Sequence, residues 1–133
     1  MDRKSWRVSV LASLFGLVVL CGTRAEDVKP TDEGKADEFK GKSFDLKKGR
    51  EAAIILAFEA GKKVSVTVRS DKKTDINLFI YDAAKKLVAK DDSPGPSCDV
   101  SFTPKEDGKL TVVVRNLGPG ENHSTLKVKV SKE

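Results

Sequence analysis

Acidic and amide side chains cluster in the segment TDINLFIYDAAKKLVAKDD, residues 74–92, at a spacing that could bind a cation. Asp75 and Asn77 stand two positions apart in an alternating segment, which places both side chains on one face of a strand. Asp91 and Asp92 end the next apolar run, so the ends of two adjacent strands could gather all four side chains. Calcium takes about six to eight oxygen ligands from carboxylates, carbonyls and water. These four residues are therefore the candidate calcium ligands.

A second interpretation gives the same residues a local role. Asp and Asn favour turns because their side chains hydrogen-bond to nearby backbone groups. The segment also lacks the loop glycine and the closing glutamate of an EF-hand. Four lysines close by weaken the local negative field, namely Lys72, Lys73, Lys85 and Lys86. Both interpretations stay open at the level of sequence.

Phe79 and Tyr81 share one face of the predicted strand, because they stand two positions apart. The alternate positions, Ile76, Leu78 and Ile80, form the other face. Two neighbouring rings exposed on a sheet would form a platform for a sugar or a protein. The alternative is that a loop or the N-terminal segment covers them. Phe79 and Tyr81 are therefore the candidate ligand-binding residues.

The residues give little support to nucleophilic catalysis. His123 is the single histidine, and it stands beside Ser124 in a loop rich in proline and glycine. A catalytic triad needs a base that is held by a carboxylate and aimed at a nucleophile, and no motif here supplies that arrangement. Beyond residue 25, one histidine and one cysteine are too few for the usual zinc ligand set. We expect no enzymatic activity.

Cys98 follows the loop sequence PGPS, and residues 26–133 contain no second cysteine with which it could pair. It could pack as a small apolar residue at the start of a strand. It could instead lie exposed and form an intermolecular disulfide, or carry a chemical modification. The sequence leaves these alternatives open.

Residues 1–25 have the order of a secretory signal peptide. A basic start with Arg3, Lys4 and Arg7 precedes an apolar run over residues 8–22, and Thr23 and Ala25 are small residues suited to a cleavage site. The run has 15 residues, whereas a transmembrane helix needs about 20. We predict cleavage after Ala25, a secreted or periplasmic location, and no membrane attachment of the processed chain.

Charge argues against a nucleic-acid partner. The whole chain has 25 basic and 20 acidic residues, a formal net charge of +5. Residues 1–25 contain four of the basic residues and one of the acidic residues, so residues 26–133 have a net charge of only +2. Basic and acidic residues are interspersed there, whereas nucleic-acid binding relies on a clustered positive face.

The hydropathy pattern predicts an all-β fold. Residues 26–38, EDVKPTDEGKADE, are polar and predict a flexible N-terminal arm. Over residues 39–133, apolar residues alternate with polar ones, as in VSVTVRS at 64–70. About eight such segments follow one another between turns that contain glycine or proline, without a convincing helix. Each one-sided strand needs a second layer over its apolar face, so we expect an antiparallel β-sandwich of two sheets.

Four motifs occur in a distinctive order: GKKVSVTV at 61–68, DINLFIYD at 75–82, VSFTP at 100–104 and GKLTVVVRN at 108–116. This order resembles the bacterial pre-peptidase C-terminal domain family, and the resemblance covers residues 44–130. It implies a jelly-roll-like β-sandwich that serves as a non-catalytic accessory module. Some members of that family bind collagen or polysaccharide, and some hold calcium through acidic loop residues. Leu110 stands where the family often has an aromatic residue.

The residues and the resemblance together predict a secreted, non-catalytic module that binds an extracytoplasmic protein or polysaccharide. The alternative is a calcium-stabilised structural domain of the cell envelope.

Overall fold

The computed structural model describes residues 29–131, so the predicted signal peptide lies outside the described residues. Nine strands and one short 3-10 helix, Ala36–Glu38, make up this part of the chain. The strands are β1 Thr31–Lys35, β2 Lys42–Leu46, β3 Glu51–Phe58, β4 Val64–Ser70, β5 Asp75–Tyr81, β6 Leu87–Asp91, β7 Ser97–Phe102, β8 Gly108–Gly118 and β9 Asn122–Val130. Among the described residues, no helix is long and apolar enough to cross a bilayer.

The strands form two sheets that pack face to face. One sheet has five strands in the order β1-β3-β8-β5-β6, and the other has four in the order β2-β9-β4-β7. All neighbouring strands pair antiparallel except β1 and β3, which pair parallel. The predicted all-β, jelly-roll-like sandwich of two sheets is confirmed, with nine strands where the sequence pattern predicted about eight.

Alternation along each strand builds the core. Every second residue of β4, Val64, Val66 and Val68, is buried between the sheets, and so are Ile76, Leu78 and Ile80 of β5. Removing such side chains from water is the main favourable contribution to folding, roughly 25 cal/mol for each Å² of apolar surface. The inward-facing positions predicted for β4 and β5 are therefore correct, whereas Leu87 of β6, predicted to face the core, is exposed. They define the outward-facing positions as well, because successive side chains of a strand point to opposite faces.

The predicted arm over residues 26–38 differs from the structure at its C-terminal part. Residues 31–35 form β1, which pairs parallel with β3 from Thr31 opposite Ile54 to Lys35 opposite Ala57. Ala36 then enters the core with 3% of its surface exposed. An edge strand can be held by backbone hydrogen bonds alone while both of its faces remain in contact with water. Such a strand needs no apolar alternation, so the polar sequence TDEGK did not indicate one.

Different interactions join the two sheets along their two long sides. Along one side, Lys42 of β2 forms an ion pair with Glu33 of β1 at 2.5 Å. Along the other side, Oδ2 of Asp91 in β6 accepts the backbone N–H of Asp99 in β7 at 2.8 Å. The thiol of Cys98 donates to the carbonyl oxygen of Asp91 at 3.5 Å. Asp91 therefore connects the edge strands of both sheets.

One end of the sandwich, which we call the loop end, carries the loops 47–50, 71–74, 92–96 and 119–121. Buried Asn116 holds two of these loops in place. Its Nδ2 donates to the carbonyl oxygens of Leu46 and Gly120, each at 2.8 Å, and its Oδ1 accepts the N–H of Gly118 at 2.7 Å. Gly118 has a φ of +92°, a backbone conformation that residues with a side chain rarely adopt, so the position favours glycine.

Substituting Asn116 tests this role. We expect Asn116→Ala to lower the free energy of unfolding by roughly 2–4 kcal/mol, because it leaves buried backbone groups without partners. Asn77→Ala is the matched control: Oδ1 of Asn77 is buried and has no hydrogen-bond partner, so its loss should cost less than about 1 kcal/mol. Urea unfolding followed by circular dichroism measures both values. Equal losses in the two variants would contradict the assignment.

Candidate functional site

The outer face of the five-stranded sheet carries the two predicted ligand-binding residues. Phe79 pairs with Val113 of β8, and Tyr81 pairs with Thr111, so these four side chains lie on the same side of the sheet. The next strand adds Ile55, which pairs with Thr111. We call this set, Ile55, Phe79, Tyr81, Thr111 and Val113, the aromatic face. All five side chains are half-buried.

The two rings of the aromatic face lie side by side. Their centroids are 6.3 Å apart and their planes differ by 25°. At the edge of the sheet, β6 adds two exposed apolar side chains, Leu87 at 46% and Val88 at 40% of their surface. The sequence left open whether the N-terminal segment covers this strand. Instead, β1 lies beside β3, with β8 between β3 and β5.

Charged side chains border the aromatic face at both ends of β8. Lys109 at one end forms an ion pair with Asp32 at 2.9 Å, and Arg115 at the other end pairs with Glu51. Since each cation has a carboxylate beside it, the border adds little net charge. The apolar centre is therefore the distinguishing feature of this surface.

Part of this face was not predicted from sequence. The candidate ligand-binding residues from sequence were Phe79 and Tyr81 alone, without Ile55 or Val113, and Val113 lies in the run VVV of residues 112–114. The signal was present in β8, because three consecutive valines in an alternating strand require one of them to face outward. Adding Ile55 beside it required the pairing of β3 with β8.

Three of the four candidate calcium ligands, Asp75, Asp91 and Asp92, have partners of their own. Oδ1 of Asp91 accepts the hydroxyl of Ser93 at 2.6 Å and its N–H at 3.1 Å. Oδ1 of Asp75 accepts the N–H of Gly95 at 3.3 Å, and Asp92 forms an ion pair with Lys90 at 3.1 Å. Within residues 29–131, no group of three or more His, Cys, Asp or Glu side chains is placed to hold a metal ion.

Asp91 opposes Leu78 across the β5–β6 ladder, one position along from Asn77. Adjacent strand residues face opposite sides, so Asp91 and Asn77 point away from each other. The hydrogen bond from the Ser93 hydroxyl, followed by the N–H groups of Asp99 and Ser93, lowers the pKa of Asp91. The local-turn interpretation therefore describes the contacts of these acids, and calcium binding stays a prediction from sequence.

Cys98 is fully buried, which agrees with the alternative that it packs as a small apolar residue and disagrees with the alternative of an exposed thiol. Its thiol donates to the carbonyl oxygen of Ile76 at 3.1 Å. Burial first, and then the nearby carboxylates of Asp91, Asp75 and Asp99, raise the pKa of Cys98 to about 12. Because the thiolate is the reactive form, this thiol is both inaccessible and unreactive in the folded chain.

His123 and Ser124 do not form a catalytic pair. They are successive residues of β9 and so face opposite sides: His123 is exposed, whereas Ser124 is buried and donates to Oδ1 of Asn122 at 2.9 Å. Nδ1 of His123 lies 2.7 Å from Oδ1 of Asp45, and this hydrogen bond raises the pKa of His123. The histidine thus has a carboxylate partner, but among the described contacts it forms no hydrogen bond to a serine or another nucleophile.

Comparison with known proteins supports the fold without assigning a family. No family profile and no curated protein matches the sequence. Among solved structures, the pre-peptidase C-terminal domain of a collagenase from Bacillus anthracis has 14% identity and a TM-score of 0.59, covering 81% of this chain and 100% of its own.

Two further solved structures share the architecture. CorA, a surface-associated copper-binding protein of Methylomicrobium album BG8, has 10% identity and a TM-score of 0.63, covering 78% of this chain and 100% of its own. PliG, a periplasmic inhibitor of g-type lysozyme from Aeromonas hydrophila, has 14% identity and a TM-score of 0.55, covering 78% of this chain and 99% of its own. The chain therefore has a β-sandwich fold of the pre-peptidase C-terminal type.

The single histidine permits a direct test of its environment. We expect the His123 ring to titrate in NMR spectra with a pKa above 6.5, and Asp45→Asn to return the pKa towards that value. A raised pKa in the folded state stabilises the fold fully below the unfolded pKa, and this contribution is lost as pH rises through the folded pKa. Asp99→Asn serves as the control. A titration unchanged by Asp45→Asn would show that the ion pair does not form.

Thiol chemistry tests the burial of Cys98. In a chain lacking residues 1–25, the folded protein should react with a thiol reagent at pH 8 at least about 100-fold more slowly than the urea-unfolded protein, because the thiol is buried and protonated. It should also migrate as a monomer in non-reducing electrophoresis. A Ser101→Cys variant, exposed three positions along the same strand, is the positive control. Rapid labelling of native Cys98 would contradict the buried position.

Proposed function

We propose that this domain is a secreted or periplasmic, non-catalytic binding module whose ligand lies on the aromatic face. The observation that supports it is the pair of nearly parallel rings of Phe79 and Tyr81 on a sheet surface that no described strand covers. Apolar side chains on the outer face of a sheet contribute nothing to the core between the sheets. Exposed apolar groups that are contiguous and bordered by charged side chains mark interaction surfaces more often than isolated ones.

Size favours a polysaccharide over a protein as the ligand. The three strands β3, β8 and β5 span about 10 Å, and the row from Asn77 to Tyr81 extends about 13 Å. The resulting area, on the order of 130 Å², is far below the roughly 800 Å² that each partner contributes to a stable protein–protein interface. Two rings in a row suit a chain of sugar rings, which offers an apolar face to each of them.

The predicted signal peptide supports an extracytoplasmic setting, in which polysaccharides are abundant. The fold supports a binding role only in general terms, because one fold hosts many functions and the site must carry the argument. A calcium-stabilised structural role was the alternative from sequence. We do not propose it, since its four candidate ligands are engaged in other contacts or point apart.

Tyrosine fluorescence can test the proposal with unusual clarity. The chain has one tyrosine, Tyr81, and one tryptophan, Trp6, so in residues 26–133 all tyrosine and tryptophan emission comes from the aromatic face. We expect a soluble β-linked polysaccharide, taken from a panel of neutral polymers such as xylan and hydroxyethyl cellulose, to change this emission in a saturable way. Phe79→Ala should weaken binding about tenfold, since an aromatic contact contributes on the order of 1.5 kcal/mol.

Two variants control this measurement. Phe79→Leu retains apolar bulk while removing the ring, so it should bind nearly as weakly as Phe79→Ala if stacking is responsible. Leu117→Ala removes an exposed apolar side chain at the loop end and should bind like the unmodified protein. The proposal fails if no polymer changes the emission, or if Leu117→Ala weakens binding as much as Phe79→Ala.

A further inference from the structure

The loop end gathers two basic segments that are separate in the sequence. Residues 47–50 read KKGR, and residues 71–74 read DKKT. The strands that lead into them, β2 and β4, both pair with β9, where Leu46 opposes Asn122 and Ser70 opposes Ser124. The two segments therefore leave the sandwich two strand spacings apart, about 10 Å.

Five cations of these segments extend from the loop end: Lys47, Lys48, Arg50, Lys72 and Lys73. All five are exposed. Within the part of the chain that the structure describes, none of these five forms an ion pair. Their charge is available to an external anion.

The carboxylates nearest to these cations are engaged elsewhere. Oδ1 of Asp71 accepts the N–H of His123 at 2.9 Å, and Asp45 contacts the ring of the same histidine. Asp75 accepts the N–H of Gly95. Glu121 remains as an exposed carboxylate of these loops. A carboxylate that accepts a hydrogen bond keeps its charge, so Asp45, Asp71, Asp75 and Glu121 offset four of the five cations. The loop end keeps a small positive excess, which lies on the segments 47–50 and 72–73.

Buried polar groups hold the cationic loops in position. Nδ2 of Asn122 donates to the hydroxyl of Thr74 at 2.6 Å, which fixes the loop 71–74 against the start of β9. The N–H of Gly49 donates to the carbonyl oxygen of Asn116 at 2.7 Å, and Asn116 holds the loop 119–121 through Gly120. Binding an extended ligand at such loops loses little backbone entropy, because the loops are already ordered.

We propose that the loop end is a second binding site, which takes the carboxylate or sulfate groups of an acidic polysaccharide. Two cationic segments about 10 Å apart match anions that recur along an extended polymer. The site also adjoins the aromatic face, since Asn77 and Arg115 lie near the loop end of β5 and β8. One polymer could occupy both sites, and the second contact would then form at a high effective concentration. The choice of a polysaccharide rests on the proposed function; the cationic site does not.

Charge-neutral variants test the proposal in the chain without its predicted signal peptide. The loop-end variant combines Lys47→Gln, Arg50→Gln, Lys72→Gln and Lys73→Gln, and it retains Lys48 because that side chain packs on Gly118. The matched control changes the same number of exposed cations, all of them lysines in loops at the opposite end: Lys40→Gln, Lys63→Gln, Lys86→Gln and Lys105→Gln. Both variants have the same net charge, so long-range attraction alone affects them equally.

Affinity electrophoresis in gels that contain polygalacturonate, dextran sulfate or neutral dextran provides the measurement. We expect the unmodified protein and the matched control to be retarded by an acidic polymer, and the loop-end variant to bind it about tenfold more weakly, since four surface charge pairs contribute modestly each. Retardation should decrease as salt is added. Equal weakening in both variants would overturn the proposal, because net charge would then explain the binding.

Two further outcomes matter. One distinguishes an acidic polysaccharide from other anionic ligands, and the other distinguishes failure of the loop-end site from failure of the proposed function. Binding to phosphatidylglycerol vesicles or to DNA without retardation by either acidic polysaccharide would overturn the choice of ligand. Phe79→Ala should weaken binding to neutral and acidic polymers alike, whereas the loop-end variant should affect acidic polymers alone. If the aromatic face binds nothing while the loop-end variant still loses binding to an acidic polymer, the loop-end site stands and the proposed function fails.

Discussion

The period-two alternation of side chains along the strands is the constraint on which the whole structure depends. Each strand must bury one row of apolar side chains between the sheets, and its other row must then face outward. The core takes Ile76, Leu78 and Ile80 from β5, which leaves Phe79 and Tyr81 on the opposite side. Burial of one row therefore decides which positions face outward, but the side chains at those outward positions are not needed for the core. Surface positions of this kind are where a stable scaffold can acquire binding residues without losing stability.

Polar side chains complete what the apolar core cannot do alone. A sandwich has edges and ends where backbone groups lack partners, and here these are satisfied by a few buried or half-buried side chains. Asp91 connects the edge strands β6 and β7, and Asn116 and Asn122 hold the loops at one end. This requirement explains why the acids of residues 74–92 resembled a metal site in sequence. Carboxylates that accept backbone N–H groups have the same residue types and loop positions as carboxylates that bind calcium.

The sequence predicted the two-sheet fold but not which strands become neighbours, and the reason is physical. Alternation in β4 and β5 identified the buried rows, because burial depends on local periodicity. The strand β1 was missed because the side chains of β1 have no apolar pattern. Backbone pairing with β3 holds β1 in place. The burial of Cys98 and the neighbouring positions of residues 47–50 and 72–73 depend on which strands become adjacent. That information is absent from any single segment, so these features became visible only with the topology.

The direction of β9 separates the two ends of the molecule in a way that matters for handling it. This strand starts at the loop end with Asn122 and carries the chain to the opposite end at Val130. A peptide tag, a surface anchor or a second domain joined downstream of β9 would therefore hold the sandwich by the end that lacks the cationic loops. Orientation on a sensor surface or a bead would then be uniform, with the loops 47–50 and 71–74 presented outward to the solution.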